Sequence, residues 1–365
     1  MAKTEKSSWA PLRTFLTNVF VGANLATLVL LWVCCASTWI DPSSQPRVAV
    51  IGLLFPIFLI LNLLFLPLWL IFKPRMLVVP VVGMALCGTY ILDYFPLHLK
   101  PSGEPADLVV MSWNTHYLDG CSVDSVSAVA DFLLDCKVDV ACLQETSVNG
   151  EKFDKFYAWL RDEGYIVEHE GGQAVVSRFP ILGFRTVEIE SRMSNAAMCA
   201  DLLVGEDTLT VFNVHLESIS LSRAEKTEYG NVLLTPESEK VKSEARFLTG
   251  KLSEAAHYRA MQTQILVDRL DSLPAGRRVL LCGDFNDTPI SYTYQTISRR
   301  LHNAYRHGGR GVGVSYSENF FPVRIDNVFY SNDWTCLEAH IVNGITVSDH
   351  YPLLARLKNL ENQPK

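Results

Sequence analysis

Six short apolar runs in this chain each end in residues that can bind a cation or move a proton. The first ends in Trp113-Asn114-Thr115 and the second in Leu143-Gln144-Glu145-Thr146. A later run ends in Asn213-Val214-His215-Leu216-Glu217, and then come Cys282-Gly283-Asp284-Phe285-Asn286-Asp287, Arg324-Ile325-Asp326-Asn327 and Ser348-Asp349-His350-Tyr351-Pro352. Taken singly, Asn and Asp at such places start turns or cap helices. Recurring at six strand ends, with two His and at least four carboxylates, they exceed what turns require. Hard oxygen donors without a Cys/His cluster select Mg²⁺ or Mn²⁺ over zinc. His215 and His350 each lie near a candidate carboxylate partner, which suits proton transfer near neutral pH. An Asn beside an Asp, as in Asp284-Phe285-Asn286, can orient a water or hold a phosphoryl oxygen. Metal-assisted hydrolysis of a phosphate ester uses all of these together.

The strands that deliver these residues are predicted at Leu108–Trp113, Val138–Leu143, Ala174–Ser177, Leu209–Val214, Val279–Cys282, Ile325–Tyr330 and Leu353–Leu357. Helical periodicity covers Val123–Asp135, Glu151–Glu163 and a long segment from about Glu237 to Leu270. Period-2 and period-3.6 patterns recurring along one chain argue for mixed α and β with central sheets. Several of the strands are apolar on both faces, so the sheets must be covered on both sides.

In this order, the strings Trp-Asn-Thr, Leu-Gln-Glu-Thr, Asn-Val-His-Leu, Gly-Asp-Phe-Asn-Asp, Ile-Asp-Asn-Val and Ser-Asp-His-Tyr-Pro resemble the endonuclease/exonuclease/phosphatase (DNase I-like) superfamily. The resemblance covers roughly residues 106–358, and Gly-Asp-Phe-Asn and Ser-Asp-His carry most of it. It implies a four-layered α/β/β/α sandwich, two packed mixed sheets flanked by helices, with the site at one edge. It implies Glu145 as the principal Mg²⁺ ligand, assisted by Asn114 and Asp349, with Mn²⁺ as an alternative ion. His350 would then act as general base or acid, oriented by Asp326. Asp284 would position or deprotonate the attacking water. Asn286 and His215 would hydrogen-bond the non-bridging phosphoryl oxygens as charge builds in the transition state. Whether Asp284 or the His350–Asp326 pair takes the proton is open at this level.

The 365 residues are 48% hydrophobic and 19% charged, with mean hydropathy +0.14 and a formal net charge of -7. Disorder, a collagen-like repeat, a small disulfide scaffold and a wholly basic nucleic-acid binder are excluded. The apolar excess is concentrated near the N-terminus. Thr14–Ile40 and Val48–Phe72 hold no charge, and Met76–Leu92 is a shorter uncharged run. A helical crossing needs roughly 20 apolar residues, and about 17 at the low end. The reading is a membrane anchor over residues 1–95, an N-terminal bundle of about three transmembrane helices with spans near 14–38, 48–72 and 76–93. A linker follows at 96–105, then a catalytic domain at 106–358 and a tail at 359–365. Lys3, Lys6 and Arg13 precede the first span, and Lys73 and Arg75 lie between the second and third. The positive-inside rule then places those flanks in the cytoplasm. Three crossings put the catalytic domain outside it, as part of an integral plasma (inner) membrane protein. If the third run only lies in the interface, the domain stays inside.

Arg178 and Asn195 stand where the superfamily often places site-bordering residues, although a structural role is the favoured reading of each. The segment His307–Gly313 is Gly-rich but has no Gly-Lys-Ser/Thr ending, so it reads as a loop beside the site, where Arg306 and Arg310 could meet an anion. Phe320-Phe321-Pro322 reads as a packed loop, with a wedge touching lipid as the alternative. The mixed charges of Ser218–His257 read as a loop and solvated helix, with a lid over the site as the alternative. Cys121, Cys136, Cys199 and Cys336 could pair in an exported domain, though no spacing demands it.

Superfamily members cut DNA or RNA, phosphoinositides, sphingomyelin and other lipid head groups, and fold alone does not choose between them. The first 96 residues hold six Lys/Arg and three Asp/Glu, which leaves 26 against 36, a net of about -10, for the rest. Duplex binding draws most of its affinity from Lys/Arg contacts to phosphates, so this balance argues against nucleic acid. The domain is also tethered close to the bilayer. The expected enzyme is a membrane-anchored Mg²⁺-dependent phosphodiesterase or phosphatase acting on a lipid or glycolipid head group. In outline it is similar to neutral sphingomyelinases and to the hydrolase-like part of GPI-anchor lipid remodelling proteins. An extracytoplasmic endonuclease or exonuclease is the second reading, and a non-catalytic membrane scaffold the third.

Overall fold

An uncharged aliphatic run can satisfy its own backbone only as a helix when water is absent, and the chain is helical from its first described residues. The computed structural model describes residues 10–98, 103–146, 150–193, 195–219, 225, 238–316 and 323–360. Helices α1 (Ala10–Ser37), α2 (Pro46–Gly52), α3 (Phe55–Phe72), α4 (Val78–Ala85) and α5 (Gly88–Tyr94) come first. Pro11–Ser37 and Pro46–Phe72, 27 residues each, are long and apolar enough to cross a membrane. The third run is not one straight helix: Pro74–Ala85 and Gly88–Tyr94 are bent by 70°. The indole of Trp32 donates to the Gly83 carbonyl at 2.9 Å. Cys87 N turns instead to the nearer Met84 carbonyl, and a side chain inserted into the i→i−4 ladder in this way breaks a helix.

A buried polar knot fastens α1 to α3. Asn24 Nδ2 donates to Asn62 Oδ1 at 2.9 Å, and Trp69 Nε1 donates to Asn24 Oδ1 at 3.0 Å. Arg13 donates to the Phe72 carbonyl at 3.3 Å, so the start of α1 lies beside the Lys73–Arg75 hinge.

The remaining elements are β1 (Leu108–Asn114), α6 (Val126–Asp135), β2 (Val140–Gln144), α7 (Glu151–Asp162), β3 (Ile166–Glu170), β4 (Gln173–Ser177), β5 (Ile181–Val187), β6 (Ala197–Val204), β7 (Asp207–His215), α8 (Ser238–Asp271), β8 (Arg278–Asp284), α9 (Tyr292–Ser298), β9 (His302–Asn303), α10 (Ala304–Gly308), β10 (Asp326–Tyr330), β11 (Trp334–Ile341) and β12 (Leu353–Asn359). They form two six-stranded sheets, ordered β11-β12-β1-β2-β4-β3 and β5-β6-β7-β8-β10-β9. Three apolar layers hold the sandwich together. Val110, Cys142, Val211, Leu280 and Val328 pack between the sheets. Met111, Leu143, Leu133 and Phe156 join the outer face of the first sheet to α6 and α7. Phe212, Leu281, Leu266 and Ile297 join the outer face of the second to α8 and α9. This is the four-layered α/β/β/α architecture that the motifs implied. All nine cysteines stand as free thiols.

The helical region does not hang free of the sandwich. Ile290 packs among Leu31, Phe55 and Met84. The Ile290 carbonyl would lie 2.2 Å from a Cβ at Gly52, an approach only glycine permits. His257 Nδ1 is 2.9 Å from the Ser43 carbonyl, and the Arg299 guanidinium lies 4.7 Å from the centroid of the Trp39 ring. The turn between the first two apolar runs therefore rests on the sandwich, at the end opposite Arg13 and the Lys73–Arg75 hinge.

Candidate active site

Strand direction gathers the polar strand ends. β1 runs parallel to β2 with Asn114 opposite Gln144, and β7 runs parallel to β8 with His215 opposite Asp284. β10 is antiparallel to β8 and begins at Asp326, directly across from Asp284. β12 is antiparallel to β1, which brings the preceding Asp349 and His350 to the same edge. All eight residues expected at the site, Asn114, Glu145, His215, Asp284, Asn286, Asp326, Asp349 and His350, fall there.

Their contacts are specific. Asn114 Nδ2 donates to Glu145 Oε1 at 2.9 Å and to Asp284 Oδ2 at 3.1 Å, so one amide bridges both carboxylates. His215 Nε2 sits 3.7 Å from the same two oxygens. His350 Nδ1 is 2.9 Å from Asp326 Oδ2, while its Nε2 faces Asp284 Oδ2 at 3.7 Å. The Asn286 backbone N–H donates to Asp284 Oδ1 at 2.8 Å, and Asn286 Nδ2 donates to the Leu216 carbonyl at 2.9 Å, leaving its second proton for another acceptor. Asp349 Oδ1 lies 3.4 Å from His116 Nδ1. Asn114 turns its oxygen away from the acids to accept from His116 N at 3.0 Å. In this arrangement Asn114 therefore positions the carboxylates, and ligation through its oxygen requires the amide to turn.

Electrostatics set the protons. Burial alone would lower the His350 pKa, but the carboxylates of Asp326 and Asp284 outweigh it and push it up to about 10. Burial also raises the Asp326 carboxyl, with the His350 imidazole opposing. The pair thus keeps a proton across the neutral range.

Glu145, Asp284 and Asp349 are paired only with imidazoles and with the Asn114 and Asn286 N–H groups, and no Lys or Arg neutralises any of them among the described residues. Glu145 and Asp284, bridged by one amide, form a carboxylate pair without a cationic side chain, and such oxygen donors suit a hard divalent ion. Among the described residues, Asp284, Asp326 and His350 bring their ligand atoms within 4.8 Å of one another and could hold an ion. The Asp326–His350 hydrogen bond already occupies one oxygen and one nitrogen of that group.

Local strain supports the placement. Glu145 and Asn286 both take φ of 50°, where non-glycine residues seldom sit. Asn286 is held there by Asp284, and the Glu145 carbonyl accepts from Tyr117 N at 2.8 Å. Gly283 has φ +149°, and a Cβ there would lie 1.8 Å from the Val214 carbonyl. Gly283→Ala is expected to cost at least about 3 kcal/mol, because backbone rather than a pliable side chain must move. A Tm within two degrees of wild type in detergent would contradict this account of the β7–β8 contact.

Comparison with known families agrees with this geometry. The profile described as "Endonuclease/Exonuclease/phosphatase family" matches residues 111–350. The chain belongs to the endonuclease/exonuclease/phosphatase family. Members of this family are hydrolases acting on phosphoester bonds and usually use divalent metals. Residues 17–94 match a domain of unknown function. No curated protein matches the chain. Similar solved structures include D. rerio TDP2 humanized by 14 mutations, 15% identical, covering 69% of this chain and 99% of that one with TM-score 0.50. Another is D. rerio TDP2 complexed with single strand DNA product, 14% identical, covering 69% and 99% with TM-score 0.50. A third is a family protein from Bacteroides thetaiotaomicron, 16% identical, covering 70% and 98% with TM-score 0.50. At these identities the likeness concerns the fold alone.

Several residues that shape this family site carried no role in the sequence reading. Gln144 Nε2 donates to Asn213 Oδ1 at 2.7 Å, tying the two sheets together behind the carboxylates. Ser348 Oγ donates to the Asn114 carbonyl at 2.8 Å. The Tyr316 ring lies 4.9 Å from the His350 ring. On α8, Arg259 donates from Nε to Asp287 at 3.1 Å and from Nη1 to the Glu217 carbonyl at 2.9 Å, so this part of the helix braces the site turn and is not solvated. Only the repeated strand-end motif could have pointed to Gln144 and Ser348. For Arg259 and Tyr316 the chain offers no local signal.

Both bordering residues make structural contacts. Arg178 N bonds the Asp139 carbonyl, and its guanidinium stacks 4.3 Å from the Tyr165 ring, at the opposite end of β2 from Glu145. Asn195 Nδ2 donates to the Leu216 carbonyl at 2.9 Å, a brace beside His215. Residues 317–322, which include Phe320-Phe321-Pro322, lie outside the described residues, as do residues 220–224 and 226–237 of the stretch considered as a lid.

Proposed function

We propose that this chain is a membrane-anchored, divalent-metal-dependent phosphoesterase whose substrate is a lipid or glycolipid head group. The observation that carries this reading is that the apolar helices dock at the catalytic edge. Ile290, four residues beyond Asn286, packs among α1, α3 and α4, and Asp93 at the end of α5 meets residues beside Asp326. A head group at the bilayer surface therefore lies nearer the site than a soluble polymer does. The net charge of about -10 outside the first 96 residues argues the same way.

A bound Mg²⁺ or Mn²⁺, held by Glu145 and Asp349 with Asn114 beside them, would polarise the phosphoryl group and neutralise its growing charge. The chain's own groups do the rest. Asp284 orients the attacking water for in-line displacement. His215 and the free proton of Asn286 hold the non-bridging oxygens. The protonated His350, fixed through Nδ1 by Asp326, offers Nε2 to the reacting oxygens.

The catalytic domain is assigned to the outer side of the plasma (inner) membrane. Support comes from the basic flanks, since Arg13 and the Lys73–Arg75 hinge sit at one end of the helices and the sandwich at the other.

The test is to incubate the full-length protein in detergent with Mg²⁺ and a panel of sphingolipids, phosphoinositides and plasmid DNA. Release of a phosphorylated head group is the expected result. Efficient cutting of DNA with every lipid left intact would replace this reading by a nuclease.

A further inference from the structure

Asp93, the last acidic residue of the apolar helices, makes three polar contacts with the sandwich. Its Oδ2 accepts from Gln295 Nε2 on α9 at 2.9 Å. Its Oδ1 lies 3.1 Å from Arg306 Nε on α10. Its carbonyl accepts from Arg324 Nη2. Arg324 is buried, donates also to the Val312 carbonyl at 3.2 Å, and lies 4.2 Å from the centroid of the Tyr305 ring. Two residues further on is Asp326, which orients His350.

A second route leaves the same place. Leu97 forms an antiparallel bridge with Arg310, Gly311 N donates to the Pro96 carbonyl at 3.0 Å, and His98 N donates to the Gly309 carbonyl at 3.3 Å. The glycine-rich loop thus pairs with the chain leaving α5 and carries on to the site. There Ser315 Oγ accepts from Ile325 N and Asp326 N, both at 3.1 Å. Tyr316, the next residue, lies against the His350 ring.

We infer that Asp93 is a positioning residue: through Arg324 and through the 309–316 loop, the end of the membrane anchor holds the Asp326–His350 pair in register with Asp284. Both routes converge on the same pair, and among the described residues neither makes a hydrogen bond or ion pair with the Glu145 or Asp349 side chain. Loss of the clamp should therefore lower kcat and leave KM in place, since misplacement of a catalytic group by about 1 Å can cost roughly 100-fold. The inference relies on the proposed hydrolytic site for its kinetic readout only.

The experiment compares Asp93→Ala, Asp93→Asn and Arg299→Ala in the full-length chain in detergent micelles. Arg299→Ala loosens the anchor at Trp39, away from both routes, and serves as the control. Amide hydrogen exchange is followed over residues 309–316 and 324–330, and kcat and KM are measured with bis(p-nitrophenyl) phosphate. For Asp93→Ala the expected result is faster exchange in both segments and a kcat lower by roughly 10- to 100-fold at a KM within about twofold of wild type. Asp93→Asn, which keeps the shape and one acceptor oxygen, should recover much of both, and Arg299→Ala should change neither. Unaltered exchange in Asp93→Ala overturns the inference even if the wild-type chain turns over no ester. Faster exchange with an unaltered kcat, or an Arg299→Ala variant equally impaired, overturns it as well.

Discussion

Alanine at His350 is expected to lower phosphoester hydrolysis by roughly 100- to 10,000-fold, the range that a positioned acid or base supplies. The imidazole contributes through Nε2, which faces Asp284 at 3.7 Å, while Nδ1 is committed to Asp326 at 2.9 Å. The fold should survive the change. The contacts that anchor this turn are made by the backbone: His350 O accepts from Trp113 Nε1 at 3.1 Å, and His350 N donates to Ser348 Oγ at 3.1 Å. Asp326→Asn should cost less, since the imidazole remains but loses the carboxylate that helps hold its proton. The two losses should not add, because both act through one ring. The measurement is kcat/KM of the three proteins and of the double variant on the best ester from the panel, with imidazole added back to His350→Ala. Activity within threefold of wild type in His350→Ala would remove His350 from the chemistry.

Glu145→Gln is expected to abolish both divalent-ion binding and turnover, the latter by roughly 1,000-fold or more. Gln keeps the length of the side chain and can still accept the hydrogen bond from Asn114 Nδ2, so the strained turn at φ 50° need not change. What disappears is the charge. His215 Nε2, 3.7 Å from both Glu145 and Asp284, then faces one carboxylate instead of two, and the ion loses its principal anionic ligand. Calorimetric titration with Mg²⁺ and Mn²⁺ separates binding from catalysis. Removing metal with EDTA should stop the wild type, and adding back either ion should restore it. Wild-type ion affinity in Glu145→Gln would move the metal to the Asp284, Asp326 and His350 group, whose ligand atoms also lie close together.

Five of the strands read from sequence were legible because they are buried on both faces. β1, β2, β4, β8 and β10 read as continuous apolar runs, and each is buried throughout its length. Four of the five strands without such a signal, β3, β5, β9 and β11, are the edges of the two sheets. An edge strand is half-solvated, so its composition drifts toward that of a loop. The fifth, β6, lies inside its sheet, but its run is interrupted by Asp201, which accepts from Thr210 Oγ1 at 2.7 Å and pairs with Arg185 at 2.9 Å. Such a partner comes from a neighbouring strand and leaves no trace in local periodicity.

The chain by itself determined the residue types at the site, the family and the presence of an apolar N-terminal region. These depend on local pattern: alternation, uncharged length, and the polar groups that close each strand. Only the tertiary structure decided how those groups pair. Strand register set His215 and Asp326 opposite Asp284 and turned the nitrogen of Asn114 toward the acids. Packing, not composition, bent the third apolar run where Trp32 takes the Gly83 carbonyl. It also placed Gly52 under Ile290 and Asp93 beside Arg324. The reason is separation along the chain. A contact between residues more than two hundred positions apart is fixed by how layers stack, and no window of sequence contains both partners.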